Sequence, residues 1–207
     1  MRFSIFSVLD YYADGSRTIA AYYEQLLDQN PAILLTAAAQ HTRRIGLNTA
    51  VANLSLRHPL LIAEDYALVD LLSQGRLGLG IGRGTFSHEY AAFGQSPAES
   101  QGRFEESWEI IQRAWRGETV TFEGRYYHVD GVKINVLPVQ KPMPRYWFSA
   151  VSRESFAMRG RAAQPIINLP HLTADSLQTL AQLVENYHQH YLAAGGDANR
   201  YELPLIF

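Results

Sequence analysis

The tract from Arg76 to Gly84 reads RLGLGIGRG, a strand-like run in which every second residue is glycine. With side chains alternating across a strand, Leu77, Leu79 and Ile81 share one face, and Gly78, Gly80 and Gly82 leave the other bare. Glycine inside a strand weakens it, so strict alternation calls for a reason, and close approach of a ligand is one. The bare face would admit something bulky and flat. Arg83 then stands at the C-terminal tip of the strand, where a guanidinium suits a phosphate.

A second tract, YWFSAVSRESFAMRGRAAQP, runs from Tyr146 to Pro165. Its apolar strand, Tyr146–Ala150, turns through Val151 into a helix with Ser152 as N-cap and Glu154 and Ser155 in the first turn. Unpaired amides and the positive end of the helix dipole meet there, and two hydroxyls can add donors, which makes a phosphate seat. The bland alternatives are ordinary capping by Ser152 and a plain surface cation at Arg83. Both tracts lie at C-terminal strand ends, the face on which barrels and open α/β sheets bind ligands.

Other chemistries find little support. The Gly80-Ile-Gly82-Arg-Gly84 run fails the register of a dinucleotide fingerprint, no helix is expected directly after it, and no P-loop occurs. None of the seven histidines has zinc-ligand spacing, so no metal is expected. His88 with Glu89, just past Arg83, is the one pair near the first tract, read as a positioned proton donor or as loop decoration. No G-x-S-x-G elbow supports a hydrolase.

These tracts need elements to hold them, and the chain alternates strand-like and helix-like segments in the manner of parallel βα units. Strands are expected at Arg2–Leu9, Arg44–Asn53, Arg76–Arg83, Arg145–Ala150, Pro165–Leu169 and Glu202–Phe207. Helices are expected at Arg17–Gln29, Pro31–Thr42, Pro59–Gln74, Glu99–Arg116, Ser152–Ala163 and Thr173–Ala194. Pro31 and Pro59 fit first helical turns, and Gly75 and Gly117 fit left-handed helix stops. Only Asn30 separates the first two helices, where alternation demands a strand. Residues 118–144 form a short, β-like, proline-ended excursion.

At 207 residues with 47% hydrophobic content, the chain can bury a core as a single domain spanning residues 1–207. A formal charge of −2 and the lack of any basic run argue against nucleic acid as a partner. Zero cysteines exclude disulfides and thiolate chemistry and fit a reducing cytoplasm. No apolar run approaches the roughly 20 residues that span a bilayer, and the opening MRFSIFSVL has no signal-peptide cleavage pattern. A soluble, cytoplasmic protein is expected.

RFSIFSVLD, RRIGLNTAV, RHPLLIAEDYALVDLLSQGRLGLGIGRG, EYAAFG and the Ser152–Ser155 turn together resemble the bacterial luciferase-like flavin monooxygenases. The resemblance implies an α/β fold of the (β/α)8 TIM-barrel type that binds FMN, or in some branches a deazaflavin, at the C-terminal strand ends. By motif match Arg83 falls on the arginine that meets the flavin phosphate and Gly82 on the residue beside the ring. Ala150, Val151, Ser152 and Ser155 fall on the segment that closes around ring and phosphate. The implied chemistry uses reduced flavin from a separate reductase, and dioxygen, to oxygenate a small organic substrate.

The chain departs from this pattern in one place. Family members carry, on the second strand, an acidic residue followed by paired histidines, one of which handles protons; here Gln29 passes directly to Asn30-Pro31, and the catalytic residue stays unassigned. A (β/α)8 barrel takes about 250 residues, so an incomplete barrel is expected, lacking the second strand unit and the C-terminal units. Its open edges would need cover, and a homodimer is the expected means. A flavin-binding protein without turnover, or a truncated pseudoenzyme, is the alternative.

Overall fold

The computed structural model describes residues 31–84, 87–197 and 203–205. The strand expected at Arg2–Leu9, the helix at Arg17–Gln29 and the gap before Pro31 fall on residues 1–30, outside the described ones. The chain divides into two compact units.

The first unit comprises Met1–Asn48, Asn53–Gly78 and Arg83–Pro144. Its helices are α1 (Pro31–His41), α2 (Pro59–Leu72), the short α3 (Ser87–Ala92) and α4 (Ser100–Trp115). Phe104, Trp108, Ile111 and Trp115 recur along α4 at helical spacing and are all buried. The Trp115 indole N–H donates to the Ala63 carbonyl of α2 at 2.9 Å, which satisfies a buried donor while locking the two helices together. Pro59 opens α2 behind His58, whose Nδ1 accepts from the Leu60 amide. Gln74 and Gly75 close it with φ of 57° and 78°, as the glycine at this stop requires.

Two carboxylates tie the excursion at 118–144 to this unit. Within the excursion β3 (Val120–Glu123) and β4 (His128–Val132) form an antiparallel hairpin. Glu106 of α4 accepts from the backbone amides of Arg125, Tyr126 and Tyr127 at 2.8, 3.0 and 3.1 Å. Buried Asp70 of α2 accepts from the amide and the side chain of Gln140 at 3.0 and 2.6 Å. The excursion is therefore pinned at its tip and near its end.

The second unit comprises Thr49–Ala52, Leu79–Gly82 and Arg145–Phe207. It takes Thr49–Ala52 of β1 (Leu47–Asn53) and Leu79–Gly82 of β2 (Leu77–Gly82), with β5 (Arg145–Ser149) and β6 (Ile166–Ile167), into one sheet in the order β1-β2-β5-β6. β5 and β6 run parallel, and Asn168 continues the parallel pairing as a bridge to Leu205. The strand expected at Glu202–Phe207 is reduced, among the described residues, to that bridge. Helices α5 (Arg153–Arg161), α6 (Pro170–Thr173) and α7 (Leu177–Ala193) complete the unit. Ala150, Phe156, Ile166, Leu183, Tyr187 and Tyr191 form its buried cluster.

Two helices differ from expectation. The segment read as Thr173–Ala194 is interrupted, because Ser176 is extended and caps α7 through the Thr179 amide at 3.1 Å, while Pro170 opens the separate α6. Helix α3, six residues long, lies in a stretch read as loop, too short to show a period. No described helix is long and apolar enough to cross a membrane.

Helix α5 packs on α7 at Gly160, where an added Cβ would stand 2.9 Å from both the His190 Cβ and the Tyr187 carbonyl oxygen. Gly160→Ala should therefore lower stability by about 1–3 kcal/mol despite alanine's better helix propensity. A thermal midpoint equal to or above that of the parent would contradict this packing.

Candidate functional site

The glycine strand is buried along its whole length, and its open face is not open at the positions that matter. A Cβ at Gly80 would collide with the backbone oxygen of Thr49 and would sit 3.3 Å from Ile167 Cδ1. One at Gly82 would meet Val51 Cγ2 at 2.9 Å and Ser149 Cβ at 3.4 Å. The reading of a bare shelf for a ligand is thus corrected at these two glycines. The room left by the missing side chains is taken by the protein's own neighbouring strands, and Thr49 Oγ1 donates to the Gly80 carbonyl at 2.8 Å across the same approach.

Arg83, in the first unit, is exposed, and its Nη1 reaches Gln101 Oε1 only at 3.5 Å, the outer limit of a hydrogen bond. Its backbone is held more firmly than its side chain. The hydroxyl of buried Tyr90, on α3, donates to the Arg83 carbonyl. Gly84 follows with φ of 86°, and a Cβ there would collide with the Asn53 side chain. Asn53 in turn donates to Glu89 Oε2 at 3.2 Å and accepts from the Ser55 amide at 3.3 Å. Sequence reading passed over Asn53 and Tyr90; their signals were a polar residue ending β1 and an aromatic in a stretch taken for loop. The side chain of His88 lies outside the described part.

In the second unit, Ala150 is buried at the end of β5, Val151 is half-buried and Ser152 is exposed. Ser152 and Ser155 form a capping box: Ser155 N donates to Ser152 Oγ at 3.2 Å and Ser152 N to Ser155 Oγ at 3.0 Å. Ser155 Oγ also donates to the Ser152 carbonyl at 2.8 Å. Both hydroxyls are thus committed to the helix end itself. Glu154's own backbone amide, and then the Ser152 side chain, hold its carboxyl below the usual carboxylate range. This exposed helix start already carries a negative charge. The exposed cation Arg153 stands at its first position, unnoticed in the sequence because it reads as an ordinary polar residue.

As built, the turn can accept an anion through first-turn amides, the dipole and Arg153, in competition with Glu154. Its features fit the phosphate end of a flavin; the glycine face, filled at Gly80 and Gly82, does not supply the ring shelf argued for it. No group of three or more acidic or histidine side chains that could hold a metal occurs among the described residues.

A family model for luciferase-like monooxygenases matches residues 12–206. The chain belongs to that family. Limonene 1,2-monooxygenase of Rhodococcus erythropolis is 30% identical over 156 residues, covering 74% of this chain and 39% of that protein. An F420-dependent glucose-6-phosphate dehydrogenase of Amycolatopsis mediterranei is 36% identical over 116 residues, 54% of this chain and 34% of that one. A solved type II Baeyer-Villiger monooxygenase from Pseudomonas putida, in complex with FMN, superposes with a TM-score of 0.75 over 98% of this chain and 66% of that one. At 18% identity that likeness shows the α/β fold with its parallel sheet. The chain spans 39% and 34% of the length of the two curated relatives.

Two outcomes follow for this luciferase-like chain. Gly80→Ala should lower the thermal midpoint by several degrees, since about 1–3 kcal/mol of overpacking against backbone cannot relax through a rotamer; an unchanged midpoint would restore the open shelf. Ser152→Ala should cost about 1 kcal/mol through loss of the cap, read as a shift in the urea midpoint at constant m-value.

Proposed function

We propose that the protein is a flavin-dependent oxidoreductase of the luciferase-like family that uses reduced FMN and dioxygen to oxygenate a small organic substrate. The observation that carries the reading is the exposed α5 start, Ser152–Ser155, following directly on the C-terminal end of β5. In this reading Ala150, Val151, Ser152 and Ser155 serve the flavin in the second unit, and Gly82, whose open face Val51 and Ser149 fill, is assigned there on motif resemblance alone. Arg83, in the first, is assigned to flavin binding on motif resemblance. A reduced flavin supplies the electrons with which dioxygen is activated. The chain's own residues bind and orient it and exclude water. A reductase as flavin donor, a homodimer, a single luciferase-like domain of incomplete (β/α)8 type and a cytoplasmic setting belong to the same proposal.

The alternative within the family is F420, the cofactor named for the Amycolatopsis relative. A reading of another class, flavin binding without turnover, is favoured by one observation: the sequence has no acidic residue followed by paired histidines between Gln29 and Pro31.

Purified protein titrated with FMN, FMNH2, riboflavin and F420 separates these readings. FMN should bind more tightly than riboflavin, and FMNH2 with dioxygen should give a product only when a substrate is present. F420 preferred over FMN, or binding of neither, would overturn the proposal. Tight FMN binding with no substrate-dependent product in a substrate screen would favour the non-catalytic reading. Arg83→Ala should weaken FMN roughly 10- to 100-fold, the worth of a charged hydrogen bond, and leave riboflavin nearly unchanged; equal losses would place the arginine elsewhere. Glu154→Gln should tighten FMN relative to riboflavin by removing the competing carboxylate.

A further inference from the structure

We propose that Asn168 is a positioning residue for the Ala150–Ser155 turn, a role that rests on the reading of that turn as an anion seat. Ala150, the residue that follows β5, makes the last bond to the β6 ladder: its amide donates to the Ile167 carbonyl at 3.0 Å. In a parallel ladder the next rung would run from the Leu169 amide to the Ala150 carbonyl. That carbonyl instead accepts from Asn168 Nδ2 at 2.6 Å. A side chain thus stands in for a rung, and the backbone beyond it is free to turn into α6 at Pro170.

The Asn168 side chain has little freedom. It is fully buried, and its second Nδ2 hydrogen goes to Thr173 Oγ1 at 2.6 Å. Thr173 Oγ1 passes its own proton to the Leu169 carbonyl at 2.9 Å, and the Asn168 backbone amide donates to the Pro204 carbonyl at 3.0 Å. Turning the amide over would face Oδ1 to the Ala150 oxygen and lose the bond to that carbonyl. The arrangement also leaves Asn168 Oδ1 buried with no partner among the described residues. An acceptor stranded in this way costs free energy that a leucine, like the apolar neighbours Ile166, Ile167 and Leu169, would not incur. Packing alone therefore does not call for asparagine here.

What the side chain does is fix the Ala150 carbonyl. With its amide and carbonyl both held from the β6 side, Ala150 sets the direction in which Val151 and Ser152 leave the sheet, and so the line along which the first amides of α5 point. Asn168 bonds neither the first-turn amides of α5 nor Arg153; it acts on them through the Ala150 carbonyl.

The test compares dissociation constants for FMN and riboflavin, with thermal midpoints, in the full chain and in two variants. N168D keeps the shape and, when ionised, loses both donors; T173V removes the acceptor that fixes the amide plane. The expected result is a loss of about tenfold in the FMN-to-riboflavin preference for N168D, the worth of one hydrogen bond, with a smaller loss in the same sense for T173V. A lowered midpoint with the parent's preference intact would reduce Asn168 to packing and overturn the inference. If N168D does not fold, T173V decides, and an unchanged preference in it has the same force. A parent chain that binds both flavins equally would show that the turn is no anion seat, so that the functional reading fails first and this inference with it.

Discussion

The end of β5 is the constraint on which the candidate site depends. Ala150 makes its last ladder bond to Ile167 and receives a side-chain amide in place of the next. Beyond that point the backbone leaves the sheet and starts α5 within two residues, sealed by the reciprocal Ser152–Ser155 bonds. Behind the turn, Phe156 packs edge-on to Tyr187, and the Tyr187 hydroxyl donates to the Gln164 carbonyl at 2.8 Å. Gly160 lets α7 come close enough for this. Sheet, turn and helix pair are one mechanical unit, and the direction of the first amides of α5 is its output.

The glycine strand shows how a correct local pattern can support the wrong inference. Alternation placed Leu77, Leu79 and Ile81 correctly in the core and left the glycine face without side chains. What filled that face was a tertiary fact: Thr49 and Val51 on β1, Ser149 on β5 and Ile167 on β6. Glycine permits close approach of backbone as readily as of ligand, and a single sequence cannot say which. The family's use of this strand stands apart from that argument, since it rests on motif match.

Features written in local chemistry were legible. Pro59 and Gly75 bracket α2, Gly117 stops α4, and Ser152 announces the start of α5. Features written in long-range partners were not. Arg76 read as the start of a strand, yet its guanidinium donates to the carbonyls of Ala39, Thr42 and Ile45, closing the end of α1. Asn53 and Asn168 looked like ordinary polar residues near strand ends; their partners lie 36 and 18 residues away, at Glu89 and Ala150. The turn itself was legible as a helix cap, and the proposed anion seat is read from the same helix start.

The most direct measurement is amide NMR of the flavin-free protein titrated with FMN. The account predicts that the backbone amides of Arg153 and Glu154 shift on binding and that riboflavin leaves them where they were. Saturation with FMN that moves other resonances and leaves these amides in place would contradict it.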